Sequence, residues 1–121
     1  MPENTPPLLD FLGQVTSIIE QNMANERFGV SELADAMNMS RSNLLRKVKK
    51  DSKLSVSQLI NQVRLKRAME MLRKSSQNVS EVSSQVGFNS TSYFIKCFRS
   101  FGKSYITRMF YIVSKKILIF I

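Results

Sequence analysis

Phe28–Lys50, FGVSELADAMNMSRSNLLRKVKK, is the stretch whose reading decides the fold. Val30, Leu33, Ala34 and Met37 recur at helical spacing, and Leu44 and Val48 stand one turn apart further on. Between the two runs lies Asn38-Met39-Ser40. Asn tolerates the left-handed backbone that ends a helix, Met39 can plug the corner, and Ser40 can cap the next helix. Two short helices across so tight a corner predict a helix-turn-helix, whose second helix is shaped to enter a major groove.

The pattern returns downstream. Val79-Ser80-Glu81-Val82-Ser83 answers Val30-Ser31-Glu32-Leu33-Ala34, and Gly87-Phe88-Asn89-Ser90 supplies a second corner with one extra residue. Ser90, Phe94 and Phe98 then stand fifty positions after Ser40, Leu44 and Val48. An ordered tandem pair is a far stronger signal than one copy.

Between the copies, Ser55 caps a pattern that runs as one helix from Val56 to about Lys74. Its expected inward residues are Val56, Leu59, Ile60, Val63, Ala68, Met69 and Leu72, with Arg64, Lys66, Arg67, Arg73 and Lys74 outside. Such a rod is about 28 Å long at 1.5 Å per residue, close to one turn of a DNA duplex. Upstream, Thr5 and Pro6 read as the start of a helix whose stripe is Leu8, Phe11, Leu12, Val15, Ile18, Ile19 and Met23, with Asp10 on its outer face. The whole reads as an all-α fold, two helix-turn-helix subdomains of homeodomain-like type joined by a long helix. The expected divisions are a linker over 1–7, a first lobe over 8–54, the linker helix over 55–75, a second lobe over 76–104 and an apolar tail over 105–121.

Charge sharpens the functional expectation. The net charge is +9, but residues 1–40 carry one Arg against six acids, residues 41–74 eleven Lys or Arg against two, and residues 75–121 six against one. A basic body behind an acidic start points to a polyanion on one side, with a solvated basic surface or an acidic protein partner as the alternative. Near the start of the first candidate reading helix, Arg41, Ser42, Asn43 and Arg46 are placed for base edges, since Arg matches guanine and Asn adenine in bidentate fashion. In the second, Thr91, Ser92, Ile95 and Lys96 take that place, with Ile95 expected to touch thymine methyls. Lys47, Lys49, Lys50, Lys53, Arg64, Tyr93 and Arg99 are the candidates for phosphate.

Other chemistry has little to stand on. The chain has no His and one Cys, Cys97, so the commonest general base and the usual zinc ligand sets are missing, and no metal, cofactor or catalytic role is expected. The start MPENTPP lacks the pattern of a secretion signal, and the tail YIVSKKILIFI is too short and too interrupted by Lys115 and Lys116 to span a bilayer. A cytoplasmic protein without membrane contact is the resulting expectation.

SELADAMNMSRSNLLRKVK, INQVRLKRAMEML and VSEVSSQVGFNSTSYFIKCFR together resemble the DNA-binding domain of the AraC/XylS family of bacterial transcription regulators, over about Phe11 to Lys103. The resemblance implies seven helices, two helix-turn-helix lobes and double-stranded DNA near promoters as the partner. These motifs are also similar to the terminal output domain of Bacteroides-type hybrid two-component sensors, which implies sensor or receiver domains outside this stretch. Two departures stand out. Lys53 stands where the family usually has Gly before the linker helix, and would bear strain if the family's left-handed conformation is kept there, and Tyr105 stands where Pro is usual. The apolar tail, with Met109, Phe110, Tyr111 and Ile112, is expected to need cover, by homo-oligomerisation or by packing on the second lobe.

Overall fold

The computed structural model describes residues 10–74 and 76–104, with the backbone alone for 101–104. Six helices follow one another: α1 (Phe11–Gln21), α2 (Val30–Ala36), α3 (Arg41–Ser52), α4 (Val56–Lys74), α5 (Val79–Gln85) and α6 (Thr91–Ser104). No strand occurs among the described residues. The expected start at Thr5 and Pro6, the final helix that the resemblance implies and the tail's cover all lie outside them.

Each helix begins where a side chain satisfies its first free amide groups. Asp10, Ser40, Asn78 and Ser90 accept from the backbone N–H three residues on, at 2.7, 3.2, 2.8 and 3.2 Å. Asp10 is therefore extended and ends the chain before α1, rather than lying on the face of a helix already under way. At α4 the box is reciprocal: Gln58 N–H donates to Ser55 Oγ at 3.1 Å, and Ser55 N–H donates to Gln58 Oε1 at 2.9 Å. α2 starts at Gly29, whose N–H donates to Glu32 Oε1 at 2.8 Å.

The two corners are built alike. After α2, Met39 N–H donates to Ala34 O at 2.9 Å and Asn38 N–H to Asp35 O at 3.1 Å, with Asn38 at φ 55°. After α5, Phe88 N–H donates to Ser83 O at 2.9 Å and Gly87 N–H to Ser84 O at 3.1 Å, with Gly87 at φ 95°. This is the Schellman closure twice over, and it fixes the direction in which α3 and α6 leave. Lys53, which closes α3, takes the left-handed conformation at φ 66°.

α4 serves both halves of the core. Its first part gives Val56, Leu59 and Ile60 to a cluster with Val15, Ile19, Phe28, Leu33, Ala34, Leu44 and Val48. The second part gives Leu65, Ala68, Met69 and Leu72 to a cluster with Val79, Val82, Val86, Phe88, Phe94, Ile95 and Phe98. Val63 is partly buried and packs against both. One residue crosses over: Met23, from the connection after α1, joins the second cluster and ties the first lobe to the second.

Two orientations differ from expectation. Arg64 turns inward and is only 6% exposed, so it is not on the outer surface of α4 and is withdrawn as a phosphate contact. Ile95 is 8% exposed within the second cluster, so it cannot offer its side chain to a thymine methyl. Cys97 is half-buried against that cluster.

Candidate nucleic-acid interface

α3 is held by Leu44 and Val48, both fully buried, which rotates its other faces outward. Arg41, Ser42, Asn43, Leu45, Arg46, Lys47, Lys49 and Lys50 are all exposed along this helix. Several of these side chains are already braced within the protein. Arg41 Nη1 donates to Ser31 Oγ at 2.6 Å, reaching back to α2. Arg46 Nη2 donates to Asn43 Oδ1 at 2.9 Å, so the two expected base readers form one hydrogen-bonded polar pair near the start of the helix. Lys47 Nζ lies 4.5 Å from the centre of the Phe11 ring, a cation–π contact that draws it toward α1. Met39, Asn43, Arg46, Lys47, Lys50 and Asp51 line a depression of about 420 Å³ along this flank.

The end of α3 is strongly basic. Lys49 Nζ donates to Lys53 O and Lys53 Nζ to Lys50 O, each at 3.2 Å, which places both ammonium groups on the negative end of the helix. In free protein these lysines cover unsatisfied carbonyls. Both are exposed, so they can turn to a neighbouring phosphate at the loss of one weak bond each.

In the second lobe, Phe94, Ile95 and Phe98 face inward, which leaves Ser92, Tyr93, Lys96 and Arg99 exposed and Thr91 half-buried. Thr91 Oγ1 lies 3.5 Å from Ser80 Oγ and 3.4 Å from Ser83 Oγ. This repeats the first lobe, because Thr91 stands to Ser80 as Arg41 stands to Ser31: the first residue of each reading helix reaches back to the second residue of the helix before it. Tyr93 is 48% exposed, stacks obliquely on Phe88 at 5.9 Å, and receives a long 3.4 Å contact from Asn61 Nδ2 on α4. α6 and the corner after α3 flank the same side of α4, since Leu54, Gln58, Asn61, Gln62, Leu65, Cys97 and Ser100 line one cleft of about 210 Å³.

Leu45 is a further outward residue of α3. At 41% exposure it is one of two large apolar side chains left in the open among the described residues, the other being Tyr93. It sits in the same outward stripe as Arg41, Ser42 and Lys49. The signal was the exposed Leu itself, in a helix otherwise polar on that side.

A helix-turn-helix domain family matches residues 33–108. Among relatives, the chain is 40% identical over 88 residues to histidine kinase P4 of Formosa agariphila, a match covering 73% of this chain and 6% of that protein. It is 35% identical over 95 residues to the Msm operon regulatory protein of Streptococcus mutans, covering 78% of this chain and 34% of that one. The chain thus spans a minor part of the curated relatives it matches. Among solved structures, the C-terminal domain of the response regulator yesN from Fusobacterium nucleatum aligns with a TM-score of 0.64 at 26% identity, covering 78% of this chain and 94% of that domain. A DNA-binding transcriptional dual regulator from Escherichia coli K-12 shares the fold with a TM-score of 0.72 at 23% identity, over 95% of this chain and 99% of that one. With two Schellman corners, a shared central helix and polar faces on α3 and α6, the chain belongs to the AraC-type helix-turn-helix family of DNA-binding transcription regulators.

Proposed function

We propose that the chain is a sequence-specific reader of double-stranded DNA that serves as the output part of a bacterial transcription regulator. The observation that carries the reading is the exposed polar face of α3 directly after a rigid corner, with Arg46 and Asn43 joined at 2.9 Å above a strongly basic helix end. In this reading Arg41, Ser42, Asn43, Leu45 and Arg46 meet base edges from the first lobe, and Thr91, Ser92 and Lys96 from the second. Lys47, Lys49, Lys50, Lys53, Tyr93 and Arg99 hold phosphates and set the register. The first lobe carries more of the discrimination, because its face offers two guanidinium groups and an amide where the second offers hydroxyls and one ammonium.

The role is binding without catalysis, in the cytoplasm, downstream of a sensor or receiver. Support for that link comes from what the relatives are named: one is a histidine kinase and another a response regulator domain. None of the described helices is long and apolar enough to cross a membrane.

Selection of preferred duplexes from random sequence, followed by affinity measurement across salt, tests the proposal. A reproducible preferred site is expected, with affinity that falls steeply as salt rises, because several phosphate contacts release bound counterions. Binding that is equal for all sequences would refute base reading and favour an acidic protein as the partner of the basic face.

A further inference from the structure

Arg64 is buried in the middle of α4 and faces no carboxylate among the described residues. Its Nη2 donates to Asn25 O at 2.9 Å, with a longer 3.5 Å contact to Phe28 O, both in the connection between α1 and α2. Its Nε is buried with no hydrogen-bond partner among the described residues. The opposite side of the guanidinium is closed by the second lobe. A Cβ added at Gly87 would collide with Met23 O and lie 2.9 Å from Arg64 Nε and 3.0 Å from Arg64 Cζ. Glycine at 87 thus serves two purposes: it supplies the left-handed corner, and it lets the backbone of the second lobe rest on the Arg64 plane.

Stability alone does not call for a charge at this place. Burial lowers the pKa of Arg64 through desolvation. A buried charge without an opposite partner carries a desolvation cost that an apolar side chain of similar volume would not, whereas its directional hydrogen bonds to carbonyls favour one arrangement of the seam. From α4, the guanidinium bonds the connection over residues 22–28 in the first lobe and lies against the Gly87 corner of the second. Met23 seals the same seam by entering the second cluster.

We propose that Arg64 is a positioning residue that locks the two lobes at one relative orientation, and with it the spacing of α3 and α6. It touches no DNA. This rests on the reading of both helices as DNA readers only for its consequence; the lock itself is a property of the free protein. The consequence is a fixed register, since inserting one base pair between the two contacted segments moves them by about 3.4 Å and turns them by about 35°. A displacement of that size exceeds what a hydrogen bond of 2.7–3.2 Å can follow.

The test measures the distance between nitroxide labels at Asp35→Cys and Gln85→Cys, in a Cys97→Ala background, by pulsed electron resonance on the full chain. Both positions are exposed, one on each lobe, and outside the proposed interface. The unaltered Arg64 protein is expected to give one narrow distribution. Arg64→Met, which keeps the stem and removes the donors, should broaden it while helix content by circular dichroism stays within a tenth of the parent. Gly87→Ala should broaden or shift it from the other side of the seam. A broad distribution with Arg64 in place overturns the proposal without any variant having to fold, and so does a narrow, unchanged one in Arg64→Met. On DNA, Arg64→Met should lose about tenfold in affinity for a duplex with both segments, the equivalent of one contact's discrimination. Its affinity for a duplex with the α6 segment scrambled should stay within about twofold. Equal losses on both duplexes would mean a purely structural role. A chain that locks but prefers no sequence would leave the brace standing and refute the DNA reading instead.

Discussion

Lys53→Gly should make the protein more stable. Lys53 ends α3 at φ 66° and ψ 8°, where a side chain crowds the backbone and costs roughly 1–2 kcal/mol that glycine does not incur. Against this, glycine adds freedom to the unfolded chain worth about 0.4–1 kcal/mol. The substitution also removes the exposed 3.2 Å bond from Lys53 Nζ to Lys50 O, a small loss. The net gain is about 0.5–1 kcal/mol, which for a domain of this size raises the melting temperature by roughly 2–8 °C. Lys53→Ala is the control: it loses the same ammonium and keeps the Cβ, so its melting temperature should stay near the parent's. Thermal unfolding followed by circular dichroism reads the difference between the two variants. Both should weaken DNA binding equally, since each removes the same ammonium group from the proposed phosphate face. A Lys53→Gly protein that melts at or below Lys53→Ala would refute the claim that α3 ends under strain.

Arg46→Ala should weaken the preferred duplex by roughly 1–3 kcal/mol and random duplex by much less, read by fluorescence anisotropy on both. Lys50→Ala should weaken both alike and reduce the slope of log affinity against log salt by about 1. Ile95→Ala should act on the fold and leave base preference alone. It should cost about 2 kcal/mol or more in urea unfolding, with the selected site unchanged, whereas a shifted preference at one thymine would restore a base-reading role. Phe94→Ala, at the centre of the second cluster, should cost about 3–5 kcal/mol and abolish binding by the second lobe before the first.

Much of the fold could be read from local chemistry. The caps at Ser40, Ser55, Asn78 and Ser90, the left-handed position at Asn38, and the bounds of α4 follow from preferences that act within a few residues, whereas the left-handed Lys53 goes against its own preference and was implied only by the resemblance. Orientation on α4 was harder. Because this helix is covered on two sides, its buried positions include Leu65 and Arg64 beyond a single stripe. A charged residue between apolar neighbours reads as exposed, since arginine is seldom fully buried. The acceptors that make the burial of Arg64 tolerable are carbonyls near forty residues away, which no local pattern marks. Ile95 misled for a related reason. By the repeat it corresponds to Leu45, yet Leu45 is open at 41% exposure and Ile95 lies in the core of the second lobe at 8%. Met23 continued the stripe of α1 and was assigned to the first lobe, but past the end of that helix the chain turns it across the seam. The exposure of the candidate residues on α3 was legible in the residue pattern; what remained hidden were the contacts between distant segments that bury Arg64 and Ile95.

Hydroxyl-radical footprinting of the preferred duplex tests the central claim most directly. Two lobes that read one duplex together predict two protected segments on the same face of the DNA, about one helical turn or 10 base pairs apart. Protection that shrinks to one segment in the parent protein, or two segments on opposite faces, would contradict a pair of lobes reading together.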